Sequence, residues 1–277
     1  MAEPKKPNDI QGGPNSAGYD PGPWYWSTRL KRNNPTGTAL FTILRLADLP
    51  LQYWLLKKSY LLPDLIANLG GTPLSLSPSN HFLGQTTTSI LGLSPYQALI
   101  LGLATGSSAK QIYWKLVVND TNMTNGFSTG VCIYNTLLNT LNAALAFWTL
   151  TSQVPAAQRS LGAALTSAPL TIPVGLLLYS AGLFAEWYSE VQRKAFKAHP
   201  ENKDKPYSDG LFGLARNINY GGYTLWRTGY GLVCGGWVWG AVVAAWLAGD
   251  FCARAIPSLD AYCEKRVSLL GSSLRPR

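Results

Sequence analysis

Long stretches without a charged residue dominate the pattern of hydrophobic and polar positions along this chain. Four of them stand out, at 65–109, 121–158, 160–185 and 228–249. Together they are rich in Leu, Ala, Gly and Trp. Each can hold a helix of about 20 residues, the length that crosses the hydrocarbon core of a bilayer. The pattern predicts an all-α protein, a polytopic membrane helix bundle.

Five apolar regions follow from this pattern as the elements that meet the membrane. They are 38–62, 96–118, 127–152, 160–185 and 219–253. Arg45 and Asp48 interrupt the first region, which leaves open whether it spans the bilayer or lies in the interface. Pro169 and Pro173 predict a kink in the fourth region, because proline disturbs the helix hydrogen bonds.

The last apolar region is predicted to be a helical hairpin broken at Gly235-Gly236, since each interior glycine weakens a helix. A single straight crossing would carry the basic residues that follow Phe251 across the membrane, against the positive-inside rule. The hairpin gives about five to six transmembrane helices, with both chain ends in the cytosol.

Basic residues lie between the apolar regions. Charged residues make up only 13% of the chain, yet the net charge is +9. The N-terminal tail 1–36 and the loop 186–217 are basic and predicted to be cytosolic, whereas 63–95 has no Lys or Arg and is predicted to be luminal. No nucleic-acid motif accompanies these charges, and no C-x-x-C pair indicates a metal site. The predicted partner is the bilayer.

Several polar side chains fall inside the apolar regions. Asn135, Asn139 and Asn142 are spaced i, i+4, i+7 and share one helix face, which is predicted to point into the bundle. They either line a substrate cavity or join helices. Arg227 lies inside the last region, where it either serves the function or extends to the interface.

Two groups of residues are candidates for binding and catalysis. Arg216, Asn219 and Tyr220 lie at the start of the last apolar region, where they can hold an anionic ligand or a lipid headgroup. Gln111 and Tyr113 can donate hydrogen bonds to a substrate carbonyl on which negative charge develops.

Residues 210–223, GLFGLARNINYGGY, resemble the C-terminal motif of the steroid 5-alpha-reductase family, whose superfamily includes the isoprenylcysteine carboxyl methyltransferases. Upstream, Glu186, Gln192 and the Lys194–Phe196 segment match its Glu, Gln and basic-Phe positions. The resemblance covers about 160–265, and more faintly 96–152.

This resemblance implies a bundle of membrane helices, placed in the endoplasmic reticulum. It implies an NADPH-dependent reductase that transfers a hydride to a carbon–carbon double bond of a lipid-like substrate, such as a steroid, sterol or enoyl compound. Arg216, Asn219 and Tyr220 would contact the cofactor. Arg227 is added to the cofactor-binding candidates as an intramembrane arginine, and Glu186 joins Gln111 and Tyr113 as a catalytic candidate.

Asn217, Ile218 and Tyr223 stand where the family has His, Pro and Glu. Two alternatives therefore stay open: an S-adenosylmethionine-dependent methyltransferase of the isoprenylcysteine type, and an inactive membrane protein that retains the fold.

The resulting domain organisation has three parts. Residues 1–36 are predicted to be a disordered cytosolic tail because they are polar and rich in Pro and Gly. Residues 37–265 form the transmembrane domain, in which about 186–265 resembles the cofactor-binding part. Residues 266–277 form a C-terminal tail unlike that of the family.

Overall fold

The computed structural model describes residues 34–57, 61–74, 91–119, 123–153, 170–202 and 205–261. Within these ranges the chain is helical apart from turns, short connections and isolated β-bridges, one of which joins Pro73 and Trp148. The predicted all-α class is confirmed. Most of the predicted N-terminal tail, the C-terminal tail and residues 160–169 lie outside the described ranges, so the predictions for them stay untested.

The helices form two compact units, one from the described residues up to 153 and the other from residue 170 onward. The α-helices described are α1 (Pro35–Lys57), α2 (Leu61–Asn68), α3 (Pro95–Tyr113), α4 (Asn125–Phe147), α5 (Thr171–Ala198) and α6 (Ile218–Asp250). π-helical turns extend α3 and α6 at Trp114–Val118 and Phe251–Ala255, and 3₁₀ turns lie at Pro200–Asn202 and Gly210–Gly213.

In the first unit, α1 packs against both α3 and α4, and α2 packs against α4. Ser94 begins α3 with a reciprocal capping box to Gln97, and Thr124 accepts a hydrogen bond from the Phe127 backbone at the start of α4. These caps satisfy backbone donors that have no partner within the helix. Both helices therefore begin close to the predicted boundaries.

Two boundaries of the first unit differ from the prediction. The first apolar region ends as α1 at Lys57, and a second helix, α2, follows from Leu61 to Asn68, where the sequence predicted a loop after residue 62. The helix α4 ends at Phe147, because Trp148 leaves the helix and pairs with Pro73.

The first unit has polar side chains inside and apolar side chains outside. The side chains of Arg45, Asp48 and Gln52 in α1 are each at most 2% exposed. The two charged groups therefore lie inside the unit and not on its outer surface. The outer faces of α1 and α4 expose Ile43, Leu46, Leu51, Ile133, Leu137 and Leu141. This arrangement is typical of helices surrounded by lipid, where polar groups face the bundle interior.

In the second unit, α5 and α6 run antiparallel in close contact. A Cβ added at Gly182 would lie 2.5 Å from the Trp226 backbone nitrogen and 2.7 Å from the Gly222 oxygen, so a larger residue cannot fit here without moving a helix. The helix α5 continues to Ala198, 13 residues into the predicted loop 186–217. Because α5 begins at Thr171, Pro173 lies in its first turn, where proline breaks no helix hydrogen bond. The kink predicted from Pro173 is therefore wrong.

The hairpin predicted at Gly235-Gly236 is confirmed as a structure. Gly236 has φ 71° and ψ −166°, a backbone conformation open to glycine, and it divides α6 into arm one (218–235) and arm two (237–250). A Cβ added at Gly240 of arm two would lie 2.6 Å from the Leu232 side chain of arm one. The arms therefore fold back on each other.

One stretch among the described residues, Ile218–Ala261, is long and apolar enough to cross a membrane by length and composition. It contains the whole hairpin. The predicted number of five to six crossings, and the side of the membrane on which each loop lies, stay predictions.

Candidate functional site

The open end of the α6 hairpin gathers polar and aromatic side chains from three parts of the second unit. This end is called the hairpin mouth below. Its residues are Glu186 and Glu190 of α5, Arg216, Asn219, Tyr220 and Trp226 around arm one, and Phe251 and Asp260 beyond arm two. The α5–α6 packing and the turn at Gly236 together create it, since they bring residues up to 74 positions apart, Glu186 and Asp260, into one region.

Two glutamates of α5 contact arm one of α6. Glu190 Oε1 accepts a hydrogen bond from Asn219 Nδ2 at 2.8 Å, and Glu190 Oε2 pairs with Arg193. One turn earlier, Glu186 Oε2 accepts from Trp226 Nε1 at 2.7 Å. The spacing i, i+4 places both carboxylates on one face of α5. Each carboxylate is thus fixed in position by a donor from α6.

The Gly-Leu-Phe part of the motif docks on α5. Gly210 has φ 58°, and an added Cβ would lie 2.6 Å from the Gln192 side-chain amide. Gln192 Oε1 in turn accepts from the Leu211 backbone nitrogen at 3.0 Å. Glycine is therefore required at 210 both for its backbone conformation and for this contact. The contact positions the segment that leads into Arg216 and Asn219.

Arg216 and Tyr220 connect the two ends of the hairpin. The Arg216 guanidinium pairs with Asp260 at 2.5 Å, with the arginine side chain 67% exposed. The Tyr220 ring stacks on the Phe251 ring, with centroids 4.7 Å apart and planes 5° apart. Three of the four predicted cofactor-binding residues, Arg216, Asn219 and Tyr220, therefore lie together at the mouth.

Arg227, the fourth predicted residue, lies deeper in arm one and is 2% exposed. Its guanidinium carbon lies 4.3 Å from the centroid of the Trp226 ring, and its Nε donates to Tyr223 Oη at 3.3 Å. Tyr223, which departs from the family motif, thus contacts this arginine. Arg227 does not extend to the surface. It packs on the Trp226 ring, deeper in the unit than the mouth.

The catalytic candidates Gln111 and Tyr113 belong to the first unit. Gln111 is 7% exposed and donates through Nε2 to Asn135 Oδ1 at 2.8 Å. This hydrogen bond joins α3 to α4. The Tyr113 side chain is 37% exposed.

The predicted inward orientation of Asn135, Asn139 and Asn142 is confirmed, since they are 1%, 0% and 4% exposed. Asn139 Nδ2 donates to Asp48 Oδ2 at 2.8 Å. The hydrogen bonds of Asn135 and Asn139 favour the helix-joining role over the cavity-lining one.

The sequence analysis did not single out Glu190, Trp226, Phe251 or Asp260. Glu190 had a signal, because it follows Glu186 by one helical turn. Trp226 and Asp260 meet their partners across 40 and 44 positions of the chain, and no local pattern indicates such pairs.

Three arginines at or next to the mouth each form an ion pair with an acidic residue. Arg193 pairs with Glu190, Arg216 with Asp260, and Arg254 with Asp250. The mouth and its immediate neighbours therefore present both positive and negative charges. Such a surface suits a ligand that carries both signs of charge better than a polyanion.

These features define an all-helical protein with a long apolar hairpin and a polar, aromatic site at its open end. The model of the family described as "Protein of unknown function (DUF1295)" matches residues 131–252. The "Probable O-methyltransferase ustE" of Ustilaginoidea virens is 35% identical over 238 residues, which cover 86% of this chain and 82% of that protein. No solved structure matches the chain.

The chain belongs to the DUF1295 family, within the membrane superfamily of the steroid 5-alpha-reductases and isoprenylcysteine methyltransferases. The superfamily inferred from residues 210–223 is thereby confirmed, and the family and the long apolar helix both indicate a membrane protein. The name of the relative favours the methyltransferase alternative over the reductase, and neither match supports NADPH.

Proposed function

We propose that this protein is an S-adenosylmethionine-dependent O-methyltransferase that acts at a membrane on a hydroxyl group of a lipid-like small molecule. The observation that carries the proposal is the 35% identity, over 86% of the chain, to a protein named as a probable O-methyltransferase. The family match at 131–252 contains most of the residues of the hairpin mouth.

The donor set of the mouth fits S-adenosylmethionine. This cofactor has an ammonium group, a positively charged sulfur, a carboxylate, ribose hydroxyls and a flat adenine ring. The acids at the mouth can attract the ammonium and sulfonium charges, and Arg216 can hold the carboxylate. Glu190 is only 4% exposed and acts by ordering Asn219. In the structure, Glu186 and Glu190 each accept a hydrogen bond from a side chain of α6, and Arg216 is paired with an acid.

NADPH fits the same residues less well. Its phosphates are polyanionic and are usually bound by cationic side chains. At this mouth Arg193 and Arg216 are paired with acids, so either ligand would meet carboxylates beside these arginines. The positive sulfur and ammonium groups of S-adenosylmethionine are attracted to those carboxylates, whereas the phosphates of NADPH are repelled by them. The charge pattern therefore supports the methyltransferase.

In the proposed reaction, S-adenosylmethionine supplies a methyl group bonded to a positively charged sulfur. The hydroxyl oxygen of the acceptor forms the new O–CH₃ bond while the S–CH₃ bond breaks, and S-adenosylhomocysteine leaves. Glu186 accepts the hydroxyl proton, held in place by the hydrogen bond from Trp226. The Glu190–Asn219 contact, one turn away, orders the start of arm one beside it.

Ligand binding to the purified full-length protein in detergent tests the proposal. Isothermal titration calorimetry should show that S-adenosylhomocysteine binds at least about tenfold more tightly than NADP⁺, which corresponds to about 1.4 kcal/mol. Tighter binding of NADP⁺ would favour the reductase instead, and binding of neither ligand would favour the inactive membrane protein.

A variant pair tests the location of the site. Arg216→Ala should weaken S-adenosylhomocysteine binding by about tenfold or more, because a hydrogen bond to a charged group contributes about 1.5–3 kcal/mol. Lys205→Ala, at an exposed position of the neighbouring loop, is the matched control and should change affinity less than twofold. Equal, small effects from both variants would remove Arg216 from the site.

A further inference from the structure

The rings of Tyr220 and Phe251 form a stacked aromatic contact at the hairpin mouth. Their centroids are 4.7 Å apart and their planes nearly parallel, at 5°. Both rings are only half-buried, so the pair is accessible from the mouth. We propose that this pair is the binding site for the adenine ring of the nucleotide ligand, with Phe251 as its second, so far unassigned, residue.

The backbone around Phe251 supports this assignment. Phe251 begins the π-helical turn Phe251–Ala255, directly after arm two. π-helical turns are rare and often occur at functional sites, since the extra residue redirects the side chains around it. Here the turn lies where the Phe251 ring meets Tyr220, so the local backbone departs from the regular helix at the ring in question.

A third ring holds the pair in place. Tyr223 meets Phe251 edge to face, with centroids 5.7 Å apart and planes at 84°. Edge-to-face and stacked contacts are both favourable for aromatic rings. The Phe251 ring is thus fixed both by Tyr220 and by Tyr223, and a ligand ring that stacks on the pair meets an ordered surface at little entropic cost.

Charged groups flank the stacked pair on both arms. Arg216 and Asp260 form one ion pair, and Arg254 and Asp250 form another, with Nε–Oδ1 and Nη2–Oδ2 distances of 2.7 and 2.6 Å. A purely apolar ring, such as a sterol, would gain nothing from these groups. A purine has a stacking face and a polar edge, so its chemistry matches both the rings and the charges.

The identity of the nucleotide rests on the proposed function, but the adenine ring is common to both candidate cofactors. S-adenosylmethionine and NADPH both contain adenine, and stacking on aromatic side chains depends on the ring rather than on the rest of the ligand. The ring site and the choice of cofactor can therefore fail independently.

Binding to the full-length protein in detergent, measured by equilibrium dialysis with adenosine, S-adenosylhomocysteine and NADP⁺, tests the proposal. Phe251→Leu, which keeps an apolar side chain but removes the ring, should weaken adenosine binding by about tenfold, within the range typical of base–aromatic stacking. Phe251→Tyr should bind as the unchanged protein does. Trp237→Leu is the matched control, because Trp237 is an exposed aromatic residue at the opposite end of the hairpin.

The outcomes separate the two proposals. Loss of adenosine and S-adenosylhomocysteine binding in Phe251→Leu, but not in Trp237→Leu, supports both. Loss of adenosine and NADP⁺ binding by a protein that does not bind S-adenosylhomocysteine supports the ring site and overturns the methyltransferase. Unchanged binding in Phe251→Leu overturns the ring site, and so does weakened binding in Phe251→Tyr when the melting temperature is unchanged.

Discussion

Two ion pairs, one in each unit of this protein, differ in how far they are buried. In the first unit, Arg45 and Asp48 have fully buried side chains that pair at 3.2 Å. In the second unit, Arg216 is 67% exposed and pairs with Asp260 at the open end of a hairpin. The comparison shows that a charged residue of an apolar region can be buried or exposed. Its exposure, more than its presence in that region, indicates whether it stabilises the fold or is accessible to a ligand.

Two buried charges of the first unit, Arg45 and Asp48, belong to one hydrogen-bond network. Asp48 accepts hydrogen bonds from Arg45, Gln52 and Asn139, and Arg45 donates to Ser108 at 2.6 Å. A buried carboxylate with so many donors is well compensated. We therefore assign this network to the stability of the α1–α3–α4 bundle, whereas ligand binding is proposed for the hairpin mouth.

The largest expected effect comes from opening the buried network. Asp48→Ala leaves the Arg45 guanidinium buried without its carboxylate, and loss of one member of a buried pair costs about 3–5 kcal/mol of unfolding free energy. Titration with sodium dodecyl sulfate in mixed micelles measures this loss. Asp64→Ala, at an exposed position of α2, is the control and should cost about 0.5 kcal/mol or less.

A double variant sharpens this result. Replacing both partners, as Arg45→Met with Asp48→Leu, removes both charges and should recover part of the stability that Asp48→Ala loses. Recovery is incomplete because Gln52 and Asn139 still lose their acceptor. If the double variant is as unstable as Asp48→Ala, the network contributes through its other hydrogen bonds or packing rather than charge, and the contrast between the two ion pairs does not hold.

A smaller effect is expected at the contact of α5 with α6. Gly182→Val should destabilise the protein by about 1–3 kcal/mol, as is typical of overpacking, because its Cβ has no room beside the Trp226 backbone. It should also weaken S-adenosylhomocysteine binding, since Glu186 follows Gly182 by one turn and hydrogen-bonds Trp226.

The matched glycine control is Gly249→Ala in arm two, where an added Cβ meets nothing within 4 Å. This change should be neutral or slightly stabilising, because alanine favours a helix over glycine. Thermal unfolding followed by circular dichroism compares the two variants. A similar loss in both would contradict the close packing of α5 and α6.

The next effect concerns binding and leaves stability nearly unchanged. Asn219→Leu removes the donor that holds Glu190 at 2.8 Å and should weaken S-adenosylhomocysteine binding by about tenfold, or about 1.4 kcal/mol. The melting temperature should change far less than in Asp48→Ala. Asn217→Leu is the control, because the Asn217 side chain makes no capping hydrogen bond. If Asn219→Leu instead destabilises the protein as Asp48→Ala does, the mouth is structural.

The smallest effect is expected from the exposed ion pair of arm two. Arg254→Ala breaks the contact with Asp250, whose two side chains are 52% and 33% exposed, and an exposed pair one turn apart contributes about 0.5 kcal/mol or less. Chemical unfolding at low and high salt measures it, since salt screens such pairs. A loss above about 1.5 kcal/mol would mean that exposure does not separate the two kinds of ion pair.

Local patterns in the sequence predicted much of the fold. The uncharged run before Lys110 and the run around Cys132 correspond to α3 and α4, because length and the absence of charge act within one helix. Gly235-Gly236 predicted the hairpin because only glycine accommodates the turn at Gly236. By contrast, the charged residues after Glu186 predicted a loop, yet α5 continues to Ala198, since charges on an exposed helix end remain solvated and do not stop the helix.

The candidate site was predicted in part for the same reason. Asn219 and Tyr220 belong to a contiguous motif, so resemblance alone located them. Glu190, Phe251 and Asp260 meet these residues only through folding, across 29 positions in the case of Glu190 and Asn219. The local sequence pattern does not indicate pairs of residues that lie so far apart in the chain.

By itself, the sequence determined that the chain is all-helical, where α3, α4 and the hairpin turn lie, and that an asparagine face points inward. These properties depend on the helical repeat and on backbone conformation, both of which act over a few residues. Only the tertiary structure decided that Arg45 and Asp48 of α1 are buried together while Arg216 is exposed. That difference depends on which surfaces the packed helices cover, since burial determines whether a charge stabilises the interior or remains available to a ligand.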